Sequence, residues 1–151
     1  MAGEQAEPRP RRRESVEPPD EGALDQMLGR DLPGYWALVS VRVEGLAALG
    51  DEAAVQARCR MADRLDEILN DQAAVYRTRG GIAMLVGPSD DLARTRIGAS
   101  LLMKATRRHL AGFGLPQFGT SAPTYRVDAY GAELPELRRR VREPEGSRVG
   151  V

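Results

Sequence analysis

The chain has 151 residues, 42% of them hydrophobic and 29% charged, and its 22 acidic and 22 basic side chains leave no formal net charge. That is room for one core plus tails, and the balance of charge provides no global field to draw in nucleic acid or an anionic membrane. No apolar run spans a bilayer and no signal-peptide core opens the chain, while the single Cys59 has no partner for a disulfide, so a cytoplasmic protein without membrane contact is expected.

Residues 1–34 read as a disordered tail with one short helix. Pro8, Pro10, Pro18 and Pro19 stand among Glu, Asp and Arg, with little apolar surface to offset the entropy of ordering. The basic cluster Arg9-Pro10-Arg11-Arg12-Arg13 is flanked by acidic residues and reads as part of a solubilising tail. Leu24, Met27 and Leu28 share a helical face, which Pro33-Gly34 ends.

The domain is expected over residues 35–142. Trp36 to Val43 is apolar through most of its length, as a strand buried on both faces would be. Asp51 is placed to cap a helix running to about Asn70, with Ala54, Ala57, Met61, Leu65 and Ile68 in 3,4 spacing and Arg58 on the flank of that stripe. Cys59 lies in the same pattern and reads as an inert, half-buried thiol.

The strongest local signal is Val75 to Val86, two strand-like runs over residues 74–79 and 82–87 on either side of Gly80-Gly81. Glycine reaches positive φ at little cost, so the pair predicts a tight hairpin turn. Gly87-Pro88 is expected to stop the second strand and Ser89 to cap a second helix, which carries Asp90 and Asp91 at its start and Lys104, Arg107, Arg108 and His109 at its end, matching the helix dipole. Ala93, Ile97, Leu101 and Ala105 form an i, i+4 row that is expected to face the core. A loop over residues 113–123 leads to an edge strand at 124–130. A helix over 134–142 follows, whose Arg138, Arg139, Arg140 and Arg142 read as a solvated end, and 143–151 reads as a disordered tail. Strand, helix, strand, strand, helix, strand is the split βαβ order, an α+β ferredoxin-like βαββαβ fold with an antiparallel sheet and its helices on one face.

Arg77-Thr78-Arg79-Gly80-Gly81 followed by Ile82-Ala83-Met84-Leu85-Val86 resembles the Arg-x-Gly-Gly-Asp/Glu-Glu-Phe hairpin of GGDEF-type diguanylate cyclase domains, and Val39 to Leu49 sits where that family has its Asp-x-Asp-x-Phe-Lys strand. The resemblance covers about residues 36 to 130. It implies a nucleotide-condensing fold in which carboxylates of the first strand and the hairpin hold metal ions. Here the corresponding positions are Arg42 and Ile82, and Glu44 is the one carboxylate retained near the site. The family's lysine corresponds to Ala47 and its guanine-reading asparagine falls near Gly50. Asp71 has no arginine three positions before it, so the family's product-binding motif is missing too, as is its Ala-Asp-x-Ala-Leu-Tyr helix near the C-terminus.

A degenerate GGDEF-like domain is therefore expected, not an enzyme, holding neither metal nor cofactor and serving as a regulatory or protein-interaction module in a bacterial cell, with a protein partner or a second copy. The alternative is a sensor of GTP or cyclic di-GMP without turnover. For it, Glu44, Arg77, Arg79, Gly80 and Gly81 are the candidate ligand residues, since backbone N–H groups at a diglycine turn can cradle phosphate. RNA binding is disfavoured because Ile82 and Met84 stand where an RNA-recognition strand carries stacking aromatics. His109 has no second ligand at metal spacing and reads as a helix-end surface residue. No nucleophile-elbow, Cys-x-x-Cys or Walker motif occurs.

Overall fold

The computed structural model describes residues 17–143. The basic cluster of Arg9 to Arg13 and the expected tail beyond Glu143 lie outside the described residues.

A helix α1 (Glu21–Leu28) precedes β1 (Tyr35–Val43). Then follow α2 (Asp51–Leu65), β2 (Ala73–Thr78), β3 (Gly81–Ser89), α3 (Leu92–Leu110), β4 (Tyr125–Glu133) and α4 (Leu134–Arg142). The strands pair in the order β2-β3-β1-β4, and every neighbouring pair is antiparallel. Each helix crossover thus joins two strands with a third between them, which is the ferredoxin-like arrangement expected from the order of elements.

Alternation along the strands sends side chains to two cores. Val39, Val41, Val43, Ile82 and Met84 meet Met61, Leu65 and Leu110 on the side of α2 and α3. Trp36, Leu38, Ala83 and Leu85 meet Leu24, Leu28, Leu134 and Leu137 on the other side. The expectation of helices on one face holds for the two long helices only, because α1 and α4 cover part of the second face. This is why β1 is apolar on both faces.

Residues before 35 also pack into the second core. Leu24 and Leu28 are each 1% exposed, and Asp20 caps α1 by accepting from the Ala23 N–H at 3.1 Å. Asp25, on the polar side of α1, accepts from Arg138 at 3.0 and 2.9 Å and from Arg142 at 3.1 and 3.0 Å. Two arginines read as a solvated end therefore tie the last helix to the first. Their hydrogen bonds, Arg138 first and Arg142 next, hold the Asp25 carboxyl well below the usual carboxylate range.

Several local expectations are corrected. Gly50, not Asp51, is the N-cap of α2, and the α-helix ends at Leu65, with a 3-10 turn over Asp66–Ile68. Asp91 rather than Ser89 caps α3, accepting from the Arg94 N–H at 3.0 Å, while Ser89 Oγ accepts from the Asp91 N–H. β3 runs through Gly87-Pro88 to Ser89, because the register with β1 shifts between Tyr35 and Ala37 and the Trp36 ring lies against Gly87.

The largest correction concerns α3. Its buried residues are Thr95, Ala99, Thr106 and Leu110, whereas Ile97 and Leu101 are 61% and 60% exposed. Ala93, Ile97 and Leu101 of the row expected in the core point outward, and Ala105 is half-buried. Small inward side chains let α3 lie against β4 so closely that a Cβ on Gly131 would come within 3.2 Å of Arg96 Cα. The Thr95 hydroxyl donates to Asp91 O at 2.8 Å, so that polar group costs little to bury.

Candidate functional site

The hairpin joins β2 to β3 through Arg79 and Gly80 alone. Neither Gly80 nor Gly81 is among the glycines of positive φ, so the reason first given for the pair does not apply. Gly81 is required by proximity instead. It stands opposite Arg42 in the β1–β3 register, and a Cβ there would lie 2.0 Å from Val41 O. Gly80 is less constrained, with the Arg42 side chain at ordinary contact distance, 3.4 Å from a Cβ built on it.

The polar groups of the turn are engaged by the fold. The Gly81 N–H donates to Thr78 Oγ1 at 3.1 Å, Gly80 O accepts from the Val43 N–H at 2.9 Å, and the Arg79 N–H donates to Glu21 Oε2 at 2.6 Å. Arg58, from the flank of α2, donates to Thr78 O and Arg79 O, both at 3.0 Å. Burial, with Arg77 close by, draws the Arg58 guanidinium below its ordinary pKa, against the opposing pull of Glu17, Glu21 and Asp51.

Arg77 is held on the outer edge of the sheet. Its N–H donates to Pro19 O at 2.7 Å, its Nε donates to Pro18 O at 3.0 Å and lies 2.8 Å from Glu17 Oε2, and its Nη2 lies 3.9 Å from Asp20 Oδ2. The segment before α1 thus covers the free edge of β2, a protection that exposed edge strands need.

Of the five candidate ligand residues, Arg79, Gly80 and Gly81 stay together at the turn. Arg79 and Gly80 border a groove of about 350 Å³ between the hairpin, β1 and α1, with Arg42 and Glu21 on its walls. Arg77 is turned to the N-terminal segment. Glu44 stands apart at the end of β1, its side chain 57% exposed and 3.5 Å from Arg126 of β4.

Sequence reasoning missed Arg58 and the acidic trio Glu17, Asp20 and Glu21 as neighbours of the turn. An arginine on the flank of an amphipathic helix gives no local sign that it will reach carbonyls 20 residues away.

Ile82, which the sequence resemblance sets against the family's hairpin carboxylate, is fully buried among the apolar side chains between sheet and α2. Arg42, set by the same resemblance against the first-strand carboxylate, lies beside Gly80. Neither side chain offers the oxygen ligands that a hard divalent cation takes. Among the described residues no three His, Cys, Asp or Glu side chains converge as a metal site would require. His109, at the end of α3, has Nε2 3.2 Å from Glu67 Oε1. No helix among the described residues is long and apolar enough to cross a membrane.

No protein-family model matches the chain, and no curated protein does. Solved structures do. The GGDEF domain of TpbB (YfiN) from Pseudomonas aeruginosa superposes with a TM-score of 0.60 at 16% identity, over 84% of this chain and 81% of that one. A diguanylate cyclase/phosphodiesterase from Caldicellulosiruptor saccharolyticus gives 0.55 at 13% identity, over 84% and 78%. An EAL/GGDEF domain protein from M. capsulatus gives 0.54 at 17%, over 77% and 80%. Identities this low speak for the fold alone: the chain has the GGDEF-domain fold.

Proposed function

We propose that this chain is a GGDEF-fold domain without catalytic activity, acting by binding as a regulatory or protein-interaction module in a bacterial cytoplasm, with no metal or cofactor of its own. One observation carries the reading. Where the resemblance calls for two carboxylates, a guanidinium (Arg42) and a buried aliphatic side chain (Ile82) stand. Condensing nucleoside triphosphates requires metal ions to neutralise phosphate charge and activate the attacking hydroxyl. A cation in place of one ligand repels the metal, and Ile82 has no donor atom. Glu44, exposed and facing Arg126, is a lone carboxylate.

A second reading, a nucleotide sensor without turnover, is favoured by the groove that Arg42 and Arg79 share beside Gly80. Against it stands Glu21, whose carboxylate already lies there on the Arg79 N–H. Thermal melting with millimolar GTP, or with cyclic di-GMP, separates the two. A nucleotide present at 100 times its dissociation constant stabilises by about 2.7 kcal/mol, so a clear rise in Tm supports the sensor and an unchanged Tm supports the interaction module. Conversion of GTP to a cyclic dinucleotide refutes both.

A further inference from the structure

We propose that the free edge of β4 is a docking groove for an extended acidic segment of a partner protein, which joins the sheet as a fifth strand. The sheet has two edges, and the chain covers only β2, with the segment before α1. No strand lies beyond β4. The direction of its free groups follows from the ladder. The Glu44 N–H donates to Thr124 O at 3.1 Å, on the β1 side, whereas Val127 O accepts from Arg107 at 3.1 Å and Gly131 O from Arg96 at 3.4 Å, on the side away from β1. Backbone groups alternate along an antiparallel strand, so Ala129, midway between these two, turns both its N–H and its C=O outward. Among the described residues neither group has a hydrogen-bond partner. An edge with paired donors and acceptors left open is a template for another strand.

This edge lies in a groove, not on open surface. Between α3 on one face of β4 and α4 on the other runs a cleft of about 450 Å³, with Ala129 and Gly131 on its floor, Arg96, Ser100 and Met103 on the α3 wall, and Glu136 and Arg140 on the α4 wall. A strand added to a sheet edge gains affinity from main-chain hydrogen bonds and selectivity from what its alternate side chains meet. Here one set of side chains faces α3, where Met103 adapts to an apolar group, and the other faces α4. Charge selects the occupant. Arg96 and Arg140 line the cleft, and Arg107 reaches the same edge at Val127. Glu136, the one carboxylate on the walls, is already engaged by Arg139 and by Arg140, the latter at 3.3 Å. Arg140 also lies over the Tyr130 ring, 5.0 Å from its centroid, which fixes where its charge is presented. An acidic strand therefore meets a surplus of positive charge, and a basic one is repelled.

The groove rests on the interaction-module reading and gives it a partner of stated chemistry. Its test uses no nucleotide, so turnover of GTP would defeat that reading, whereas a groove that takes no peptide would defeat this proposal alone. The purified chain is panned against a random library of phage-displayed peptides of about eight residues, within the usual length of a strand, and the selected peptides are resynthesised free of phage. They should be rich in Asp and Glu, and on binding they should slow hydrogen exchange at the Ala129 and Gly131 amides. Ala129→Pro removes the outward N–H and leaves the β1 ladder intact, as an edge strand allows, and should abolish binding. N-methylation of the peptide's own backbone should do the same with the protein unaltered, so the test stands even where that variant fails to fold. R96E/R140E should weaken acidic peptides by at least about tenfold and favour the same peptides with Lys in place of Asp and Glu. Selected peptides without acidic enrichment, exchange protection away from β4, or binding indifferent to N-methylation overturns the proposal. So does a wild-type chain whose copies pair with each other through β4 and close the groove.

Discussion

Gly81→Ala is the sharpest perturbation of the hairpin. The added Cβ would sit 2.0 Å from Val41 O and 3.0 Å from the carbonyl carbon, both backbone atoms that no rotamer change can move. β3 and β1 must part by about 1 Å or more, which strains the pairing on either side, including the Val43 N–H to Gly80 O bond of 2.9 Å. Overpacking of this kind costs about 1–3 kcal/mol, and about two weakened hydrogen bonds add roughly 1 kcal/mol each. The lower entropy of an unfolded chain with alanine returns about 0.4–1 kcal/mol. A net loss of about 3 kcal/mol should lower Tm by roughly 6–12 °C. Two other glycines are internal controls. Gly98→Ala lies in mid-helix with nothing within 4 Å of its new Cβ and should gain about 1 kcal/mol from helix propensity. Gly80→Ala meets only the flexible Arg42 side chain and should be close to neutral. Calorimetry on the three variants reads the order directly. A Gly81→Ala protein melting with the wild type would show that the strands give way freely and that proximity is not what selects glycine there.

Leu28→Ala should cost about 2–5 kcal/mol by urea denaturation, as for any fully buried leucine, whereas a segment outside the folded unit would show no effect; Leu28 is 1% exposed. Asp25→Asn should cost only about 1 kcal/mol, because the cluster with Arg138 and Arg142 is a third or more exposed to solvent. The sign with pH is fixed: a carboxyl whose folded pKa is depressed stabilises fully above its ordinary value of 3.8 and loses that contribution as pH falls below it. The wild type should therefore lose stability toward acid more steeply than Asp25→Asn, and parallel curves would refute the linkage.

Much of the domain was legible because its signals are local. The double-faced apolar run of β1, the 3,4 stripe of α2 and the hairpin around Gly80-Gly81 each declare themselves within about ten residues. What was hidden depends on distant parts of the chain. An eight-residue helix like α1 is marginal alone. It is fixed by Leu134 and Leu137 and by two arginines more than 100 residues away. α3 misled for another reason: periodicity shows that a helix has two faces but not which one the sheet will take, and here close packing on Gly131 favoured threonine and alanine over isoleucine and leucine. At the turn the glycines were correctly singled out for the wrong physical cause, since a sequence shows that a Cβ is missing but not whether φ or a neighbouring carbonyl demands it. Arg58, Glu17 and Glu21 reach the turn only once the chain is folded.

The hairpin from Ala73 to Ser89 carries no carboxylate, within a fold shared with GGDEF domains. The purified chain is incubated with GTP and Mg²⁺ and the nucleotides are separated by chromatography. GTP recovered unchanged, with no cyclic dinucleotide above the protein-free control, is the predicted result. Cyclic dinucleotide that accumulates in proportion to protein and disappears when the metal is chelated would contradict it.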